Sequence, residues 1–524
     1  MARKLPRGRT GPSRGNRARD GSRPSDLSGG LGTRLARDRW TVPLALFALS
    51  FLFRLPFMNQ GLFHHDEVLL ARAVEGTVAR LRLVGEFNGR YGAVLLNALI
   101  YAPYRALSGL GSERVILSLS LVSGALLAAV LYLLVLELAG RRYPAALAAL
   151  FFSFNFLFLT TSTTGKENTL QAFFAVLAFW LVVRGAKHGS WRLRLLSFAA
   201  FAFSLTIHEV GITLAPIFVL LLVLHGWTRA PRVPAALRDI AGFAAFAAIP
   251  WFLYLGDVFR RTLATRDTAT AAFAGFFSPT LSLAVRDLVA ACGLVALGLA
   301  LAGVVALRRR PRVLVPVFLW ASLILYYGNV TTYAPRYLIY VVMPVAILCG
   351  FGAAALSQWV RPTWGRWLAA ATLVVAICGS GVAKAYPLID FRRGYCGPKQ
   401  MARFVAAKTE PDAVVITMDE SVFIEYYGRR RILLHPVGDC GQQRAFVSRI
   451  RRMALSGRRL YVNSTAFTYD DSGCFTQAMM DSLQFKRIGD VLDEDYHRPE
   501  LGSRRFTNQL LRILPGREPP RTAS

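Results

Sequence analysis

The chain has 524 residues, of which 54% are hydrophobic and 18% are charged, and its mean hydropathy is +0.39. Stretches such as Val115–Leu136, Ala284–Leu307 and Leu338–Leu356 contain almost no charge. Runs of this length can cross about 30 Å of hydrocarbon. A water-soluble core cannot absorb so many apolar segments, so the composition excludes a large soluble α-helical protein.

The formal net charge of +31 is concentrated in places that indicate a membrane protein rather than a nucleic-acid-binding one. Residues 1–40 hold eleven Lys or Arg and three acids in a stretch rich in Gly, Ser, Pro and Arg. We expect residues 1–39 to be a disordered cytoplasmic tail. The first apolar run, Trp40–Phe57, is not followed by an A-x-A-like cleavage site, so we interpret it as an uncleaved first span.

The connections between apolar runs set the predicted orientation. With the N-terminus cytoplasmic and about eleven spans in residues 40–384, every inward connection is basic, as short cytoplasmic loops usually are. These connections are Gly140–Pro144, Arg184–Arg194, Arg229–Arg238, Arg308–Arg312 and Gln358–Arg366. The sequence therefore predicts an all-α, multi-pass protein of the plasma (inner) membrane.

The first external loop, Pro56–Gly111, is long and partly apolar. Asp66–Leu83 is amphipathic, and Tyr91–Leu107 is a second apolar segment with polar Asn97 and Arg105. If either segment crossed the membrane, the charge alternation would be broken. We expect both to be helices at the outer interface.

From Pro398 onward the pattern changes to alternating helices and strands. The predicted helices and strands are Lys399–Lys408, Ala413–Thr417, Ser421–Tyr427, Ile432–Leu434, Gln442–Leu455 and Arg459–Val462, followed by the segment Cys474–Leu483. This alternation predicts a small, largely parallel sheet covered by helices, in an extracytoplasmic α/β domain at 385–524. Cys396, Cys440 and Cys474 allow one disulfide whose pairing the sequence leaves open.

Ionisable residues collect at the predicted external ends of the spans. Because charge at or within a membrane is costly, such residues are candidates for function. We expect them to share one polar cavity. They are Asp66 and Glu67 after the first span, Lys166 and Glu167, His208 and Glu209, Asp257, and Arg336.

These residue types suit chemistry on a lipid-borne substrate. A carboxylate near cations can act as a general base, and an arginine can bind a phosphate leaving group. His64 and His65 beside Asp66 are weak candidates for a divalent metal site, because imidazole and carboxylate are common ligands. The sequence predicts no definite cofactor and leaves a divalent metal ion open.

The order of these motifs resembles the C-type glycosyltransferase superfamily. An Asp-Glu pair follows the first span, and Thr164–Asn168 forms an acidic turn after the third. Leu205–Gly211 occupies the place of a Thr-Lys-Glu/Gly turn, and Tyr333–Leu338 with Pro344 is similar to an Arg-Tyr-Leu…Pro span. The chain is most similar to the branch of protein O-mannosyltransferases and lipid A aminoarabinose transferases.

The resemblance implies inverting transfer of a sugar from a polyprenyl-phosphate donor to an acceptor on the outer side. It implies catalytic roles for Asp66, Glu67 and Glu167. The residues that it implies for substrate or donor-phosphate binding are Arg336, His208, Lys166, Arg90 and Glu209. The expected partners are the lipid-linked donor, membrane lipids and an acceptor that the sequence does not identify, with no nucleic acid.

The resemblance includes three departures. The acidic turn is Lys166-Glu167-Asn168 rather than Asp-Pro, His208 replaces a lysine, and Arg90 begins a segment that in relatives often carries two prolines. Two rival interpretations are a secondary transporter and a non-catalytic scaffold that keeps the fold. The charges lie at one face and no internal repeat is evident, which disfavours a transporter.

Overall fold

The computed structural model describes residues 40–84, 90–226, 233–256, 279–329, 334–360, 362–418, 420–436, 439–468, 470, 472–494, 501 and 505–515. The predicted disordered tail at 1–39 and the candidate Asp257 lie outside these residues. The predicted boundaries at 39/40 and 384/385 stay a prediction.

The N-terminal part begins with α1 (Thr41–Arg54) and a 3₁₀ turn at Leu55–Phe57. After an irregular segment come α2 (His65–Arg80) and α3 (Tyr91–Ser108). These are the two helices predicted in the first loop, within a few residues of the predicted bounds. An irregular segment before α2 is what Pro56 and the glycine at position 61 favour.

Twelve further helices follow α3 within the described residues. They are α4 (Glu113–Ala139), α5 (Arg142–Ser153), α6 (Phe156–Ser162), α7 (Glu167–Lys187), α8 (Trp191–Ile207), α9 (Ala215–Gly226), α10 (Val233–Pro250), α11 (Pro279–Cys292), α12 (Leu294–Leu307), α13 (Pro311–Ala321), α14 (Leu323–Tyr327) and α15 (Ile339–Trp359). A 3₁₀ helix at Glu209–Leu214 precedes α9, and another at Pro335–Leu338 precedes α15. The long α16 (Thr363–Gly394) leads into the C-terminal region.

Four helical segments within the described ranges are long and apolar enough to cross a membrane: Glu113–Ala139, Glu167–Lys187, Pro335–Trp359 and Thr363–Lys408. Two bent pairs raise this number to six if each is one span: α5 with α6, bent by 61°, and α11 with α12, bent by 96°. Thr41–Phe57, Glu209–His225 and Pro311–Tyr327 are shorter apolar helices. A multi-pass helical architecture is therefore present, but the predicted number of about eleven spans is not confirmed.

Two glycines allow a close crossing of α12 and α15. A Cβ atom at Gly352 would overlap the carbonyl oxygen of Leu299, and one at Gly303 would overlap that of Leu348. Small residues let helix backbones approach within lipid, where van der Waals packing drives association. Any larger residue at these positions would push the two helices apart.

The C-terminal α/β region contains every helix and strand predicted for it, with shifts of at most a few residues. Its elements are α17 (Gly397–Lys408), β1 (Val414–Thr417), α18 (Ser421–Gly428), β2 (Arg431–Leu434), α19 (Cys440–Leu455), β3 (Leu460–Asn463), α20 (Thr465–Thr468), α21 (Cys474–Ser482), β4 (Leu483–Glu494) and β5 (Arg505–Pro515). The strand order is β2-β1-β3-β5-β4.

The prediction of a largely parallel sheet is wrong for half of the pairings. β1 pairs in parallel with β2 and β3, whereas β5 is antiparallel to both β3 and β4. The long β4–β5 pair after α21 was not predicted. Its addition makes the sheet mixed rather than parallel. Antiparallel neighbours need no crossover helix, so an alternation of helices and strands does not predict such a pair.

Cys440 and Cys474 form a disulfide, and Cys396 is buried as a free thiol. This settles the pairing that the sequence left open. Cys440 begins α19 and Cys474 begins α21, so the bond joins two helices on the same side of the sheet.

One apolar cluster joins the first-loop helices to the C-terminal α/β region. Val68 and Leu70 of α2 are buried in the same cluster as Met401, Phe423 and Ile424. Burial of side chains of this size typically contributes about 1.5 to 3 kcal/mol each. The packing fixes α2 between the helical part and the C-terminal region, and α2 carries the first predicted site residues.

Candidate active site

Asp66 and Glu67 lie in the first turn of α2, where the helix start itself favours acids. His64 is the N-cap: its Nδ1 accepts the Asp66 N–H at 3.1 Å. Glu67 completes a capping box, because its Oε2 accepts the N–H groups of Phe63 at 2.7 Å and His64 at 3.4 Å. Negative charge at a helix N-terminus is also stabilised by the helix dipole. The local sequence thus places both carboxyl groups at one end of α2.

Asp66 is surrounded by positively charged or polar nitrogen atoms. Lys166 Nζ lies 3.4 Å from Asp66 Oδ2, His65 Nε2 lies 3.0 Å from Oδ1, and His64 Nδ1 lies 3.5 Å from Oδ2. Burial alone would raise the pKa of Asp66, but Lys166 and the two imidazoles outweigh it and hold that pKa well below its usual range. Asp66 is therefore a carboxylate at neutral pH.

Glu67 has the opposite behaviour although it is the next residue. It is fully buried, and burial raises its pKa to about 7 despite the nearby Lys166 charge and the two backbone N–H donors. Its Oε1 has no hydrogen-bond partner within the described part of the chain. The pKa values of two adjacent carboxyl groups are therefore shifted in opposite directions, an arrangement that separates acid and base roles in many enzymes.

A second group of charges is organised by Arg90, the N-cap residue of α3. Arg90 contacts Glu209 through Nε at 3.0 Å and through a second guanidinium nitrogen at 2.8 Å, and it also pairs with Glu167. His208 lies between the two acids, with Nε2 3.6 Å from Glu167 and Nδ1 3.4 Å from Glu209. Arg90 thus joins the ends of α7 and α8 to the first loop.

Arg336 lies in the 3₁₀ turn Pro335–Leu338, beside these two groups. Its positive charge contributes to lowering the pKa of Lys166 and of His64, after burial, which is the largest cause in both cases. Its guanidinium stacks over the Tyr337 ring at 5.3 Å. Arg336 is half-buried.

The structure brings together residues from five separate stretches of sequence. We call this set the Asp66 cluster; it contains Asp66, Glu67, Arg90, Lys166, Glu167, His208, Glu209 and Arg336, with His64 and His65 at its edge. All of them stand at one end of the helices, as the sequence predicted. Their chemical roles stay a prediction.

Sequence reasoning missed a third group next to the cluster. Glu113, at the start of α4, receives hydrogen bonds from Lys399 Nζ at 2.7 and 3.0 Å and from Tyr427 Oη at 2.8 Å. The signal that singled out the other acids, an ionisable residue at the end of an apolar run, also applies to Glu113. Its partners in the C-terminal region carry no comparable signal.

A family match covers part of the helical region. The family described as dolichyl-phosphate-mannose-protein mannosyltransferase matches residues 95–254. No curated protein sequence matches the chain.

Three kinds of solved structure share the fold at low sequence identity. Apo ArnT from Cupriavidus metallidurans is 13% identical, with a TM-score of 0.55 over 90% of this chain and 97% of ArnT. AglB from Archaeoglobus fulgidus, in complex with an inhibitory peptide and a dolichol-phosphate, is 12% identical, with a TM-score of 0.57 over 86% of this chain and 73% of AglB. The arabinofuranosyltransferase AftD from Mycobacteria is 13% identical, with a TM-score of 0.53 over 92% of this chain and 40% of AftD.

The family match and the shared fold confirm the predicted resemblance to the C-type glycosyltransferase superfamily. The chain therefore shares the fold of ArnT, AglB and AftD, and within that fold residues 95–254 are similar to the dolichyl-phosphate-mannose-protein mannosyltransferase family.

Proposed function

We propose that this protein transfers one sugar, with inversion, from a polyprenyl-phosphate donor to an acceptor hydroxyl or amine at the Asp66 cluster. The observation that carries the proposal is the pairing of Asp66 with Lys166. The Lys166 ammonium keeps the Asp66 carboxylate ionised, and this carboxylate lies at the helix ends close to further cations.

In the proposed step, the acceptor oxygen or nitrogen attacks the anomeric carbon of the donor sugar, and Asp66 takes the proton from that attacking atom. The bond between that carbon and the phosphate oxygen breaks at the same time, and the phosphate leaves with the electron pair. Arg336 and Lys166 stabilise the negative charge that develops on the leaving group. A single displacement of this kind inverts the anomeric centre.

Arg90 and Glu167 complete the site in a different way. If Arg90 contacted the donor phosphate, as the resemblance implies, its guanidinium would have to break its ion pairs with Glu167 and Glu209. We assign it instead to holding Glu167 and Glu209, with His208 between them. Glu167 Oε2 has no hydrogen-bond partner within the described ranges, so this acid has an oxygen available for a substrate hydroxyl.

We further propose that the N-terminus is cytoplasmic and that the C-terminal α/β region lies on the extracytoplasmic side. The basic connections at the opposite helix ends support this orientation. The disulfide between Cys440 and Cys474 supports it as well, because disulfides persist in oxidising compartments.

A divalent metal ion would be held by His64, His65 and Asp66, whose donor atoms lie within 4.8 Å of one another. Two imidazole nitrogens and one carboxylate oxygen fit the ligand preferences of zinc and related ions. Such an ion would add positive charge beside the donor phosphate. Lys166 competes with it for the Asp66 carboxylate, and the proposed step uses the protein's own residues.

The test is sugar transfer in vesicles that contain wild-type protein or Asp66→Asn, with radiolabelled polyprenyl-phosphate sugars and cell-envelope acceptors. We expect the substitution to lower kcat by about 10²- to 10⁴-fold, the usual contribution of a general base. Asp412→Asn, at a 76% exposed side chain, is the matched control and should leave transfer unchanged.

Each alternative has its own signature in the same vesicles. A scaffold would show no transfer with any donor and no difference between the two proteins. A transporter would show uptake of labelled solute without transfer.

A further inference from the structure

The segment that leads into α2 is held by residues that follow it by more than 300 positions. The Gln60 N–H donates to the Arg392 carbonyl at 2.9 Å, and Lys399 Nζ donates to the Gln60 carbonyl at 3.0 Å. The Leu62 N–H donates to Tyr427 Oη at 3.2 Å, and the Cys396 thiol donates to the Leu62 carbonyl at 3.3 Å. We call Arg392, Cys396, Lys399 and Tyr427 the loop clamp.

Glu113 holds two members of the loop clamp in place. Both of its carboxylate oxygens accept from Lys399, and one also accepts from Tyr427. The Lys399 and Glu113 side chains are only 8% and 14% exposed. Charge-assisted bonds in such a setting are stronger than neutral ones, so the ammonium and the phenol hydroxyl are fixed.

The loop lies directly against the clamp, with no space between them. A Cβ atom at Gly61 would be 2.6 Å from Lys399 Cδ and 3.3 Å from Cys396 Sγ. Glycine is therefore needed at this position for close approach rather than for an unusual backbone angle.

Contacts continue from the clamp to Asp66 without a break. The Phe63 ring lies under the Arg392 guanidinium at 4.1 Å, and the Phe63 N–H donates to Glu67. His64 then caps the Asp66 N–H. Movement of Gln60 or Leu62 would thus displace the residues that set the position of Asp66.

We infer that Lys399, Tyr427 and Glu113 are positioning residues for sugar transfer: they fix the backbone of residues 60–62 and thereby the place of Asp66. The inference rests on the proposed function and adds a task for the C-terminal α/β region. Because Arg336 lies in the 3₁₀ turn Pro335–Leu338, outside both the clamp and the first loop, loss of the clamp should affect the chemical step and leave donor binding intact.

The experiment compares Tyr427→Phe with Tyr461→Phe. The first removes the hydroxyl that bonds Leu62 and Glu113; the second removes a hydroxyl that bonds Glu410 within the C-terminal region, at 2.8 Å. We measure kcat, the KM for a polyprenyl-phosphate sugar, and amide hydrogen exchange of the peptide covering residues 58–66, all in the full-length protein.

For Tyr427→Phe we expect kcat to fall by about tenfold, the effect of losing one or two hydrogen bonds. The donor KM should stay within about twofold, and exchange at Leu62 should be faster. Tyr461→Phe should match wild type in all three. Lys399→Gln loses the charge but keeps a hydrogen-bond donor, and it should show the same changes in kcat, donor KM and exchange as Tyr427→Phe. It replaces Tyr427→Phe as the test variant if that protein does not fold.

Three outcomes would overturn the inference: unchanged exchange at Leu62, unchanged kcat with faster exchange, or an equal loss in Tyr461→Phe. A wild-type protein that transfers no sugar would instead contradict the proposed function. In that case the exchange measurement still decides whether the clamp holds the loop.

Discussion

Buried charges occur at both ends of the helices, but they are arranged differently. In the Asp66 cluster, acids stand next to acids, and Arg90 pairs with both Glu167 and Glu209. At the opposite ends the pairs are simpler: Arg194 pairs with Asp239, and Glu137 pairs with Arg184 at 3.7 Å and Lys187 at 4.0 Å.

The difference indicates what each arrangement is for. A buried ion pair between one acid and one base neutralises itself and fixes two helices. A cluster with neighbouring like charges is costly to fold and is typical of sites where protons or charges are handled. If this interpretation holds, substitutions at the Asp66 cluster should mainly change activity, and those at the opposite ends should mainly change stability.

After Asp66→Asn, the largest effect in this comparison is expected at Arg90. In Arg90→Lys the ammonium cannot hold Glu167 and Glu209 at once, because lysine lacks the planar fork of arginine. We expect kcat to fall by about 10²-fold, since small misplacements of catalytic groups have effects of this size.

Radiolabelled sugar transfer with vesicle-embedded protein measures the effect of Arg90→Lys. Arg184→Lys, at the opposite end, is the control and should retain wild-type turnover. Equal losses in the two variants would remove the distinction between the ends.

The next effect concerns stability. Asp239→Asn leaves the Arg194 guanidinium buried without its carboxylate, and breaking a pair of this kind typically costs about 3 to 5 kcal/mol. The variant should melt at a lower temperature in detergent, with kcat per folded molecule unchanged.

A smaller loss of melting temperature is expected for Glu137→Gln, because Arg184 and Lys187 are 23% and 40% exposed and can be solvated. A fall in kcat for Asp239→Asn without a fall in melting temperature would instead assign the Arg194–Asp239 pair to the active site.

The smallest effect is a pH dependence that belongs to Glu67. Burial raises its pKa from 4.5 to about 7, so the folded protein keeps a proton that the unfolded chain releases between these values. The stability from that proton is complete below about pH 4.5 and is lost as the pH rises through 7.

The apparent melting temperature of wild type should therefore fall between pH 5 and pH 8 by about 2 to 4 °C more than that of Glu67→Gln. Glutamine keeps an oxygen that can accept the Phe63 N–H, so the cap is preserved. Parallel curves for the two proteins would show that Glu67 does not titrate in this range.

Much of the site could be predicted because topology alone brings span ends together. Asp66, Lys166, His208 and Arg336 each adjoin an apolar run, and alternation of the spans places all of them at one face. Which acid binds which cation depends on helix rotation and side-chain torsions. For this reason the double contact of Arg90 and the bonds from Lys399 to Glu113 could not be read from the sequence.

The C-terminal sheet shows the same limit. Its short apolar strands, such as Val414–Thr417, were evident between helices. β4 alternates Gln484, Lys486 and Asp490 with half-buried residues, and its pairing with β5 depends on contacts that periodicity does not encode.

The long sequence separation within the loop clamp also bears on biosynthesis. Leu62 is made 365 residues before Tyr427, which anchors it. A nascent or truncated chain that already contains every residue of the Asp66 cluster still lacks the anchor for its first loop. Completion of the chain, and delivery of its C-terminal region to the side where Asp66 lies, would then act as a late maturation step that keeps partly made molecules from consuming donor lipid.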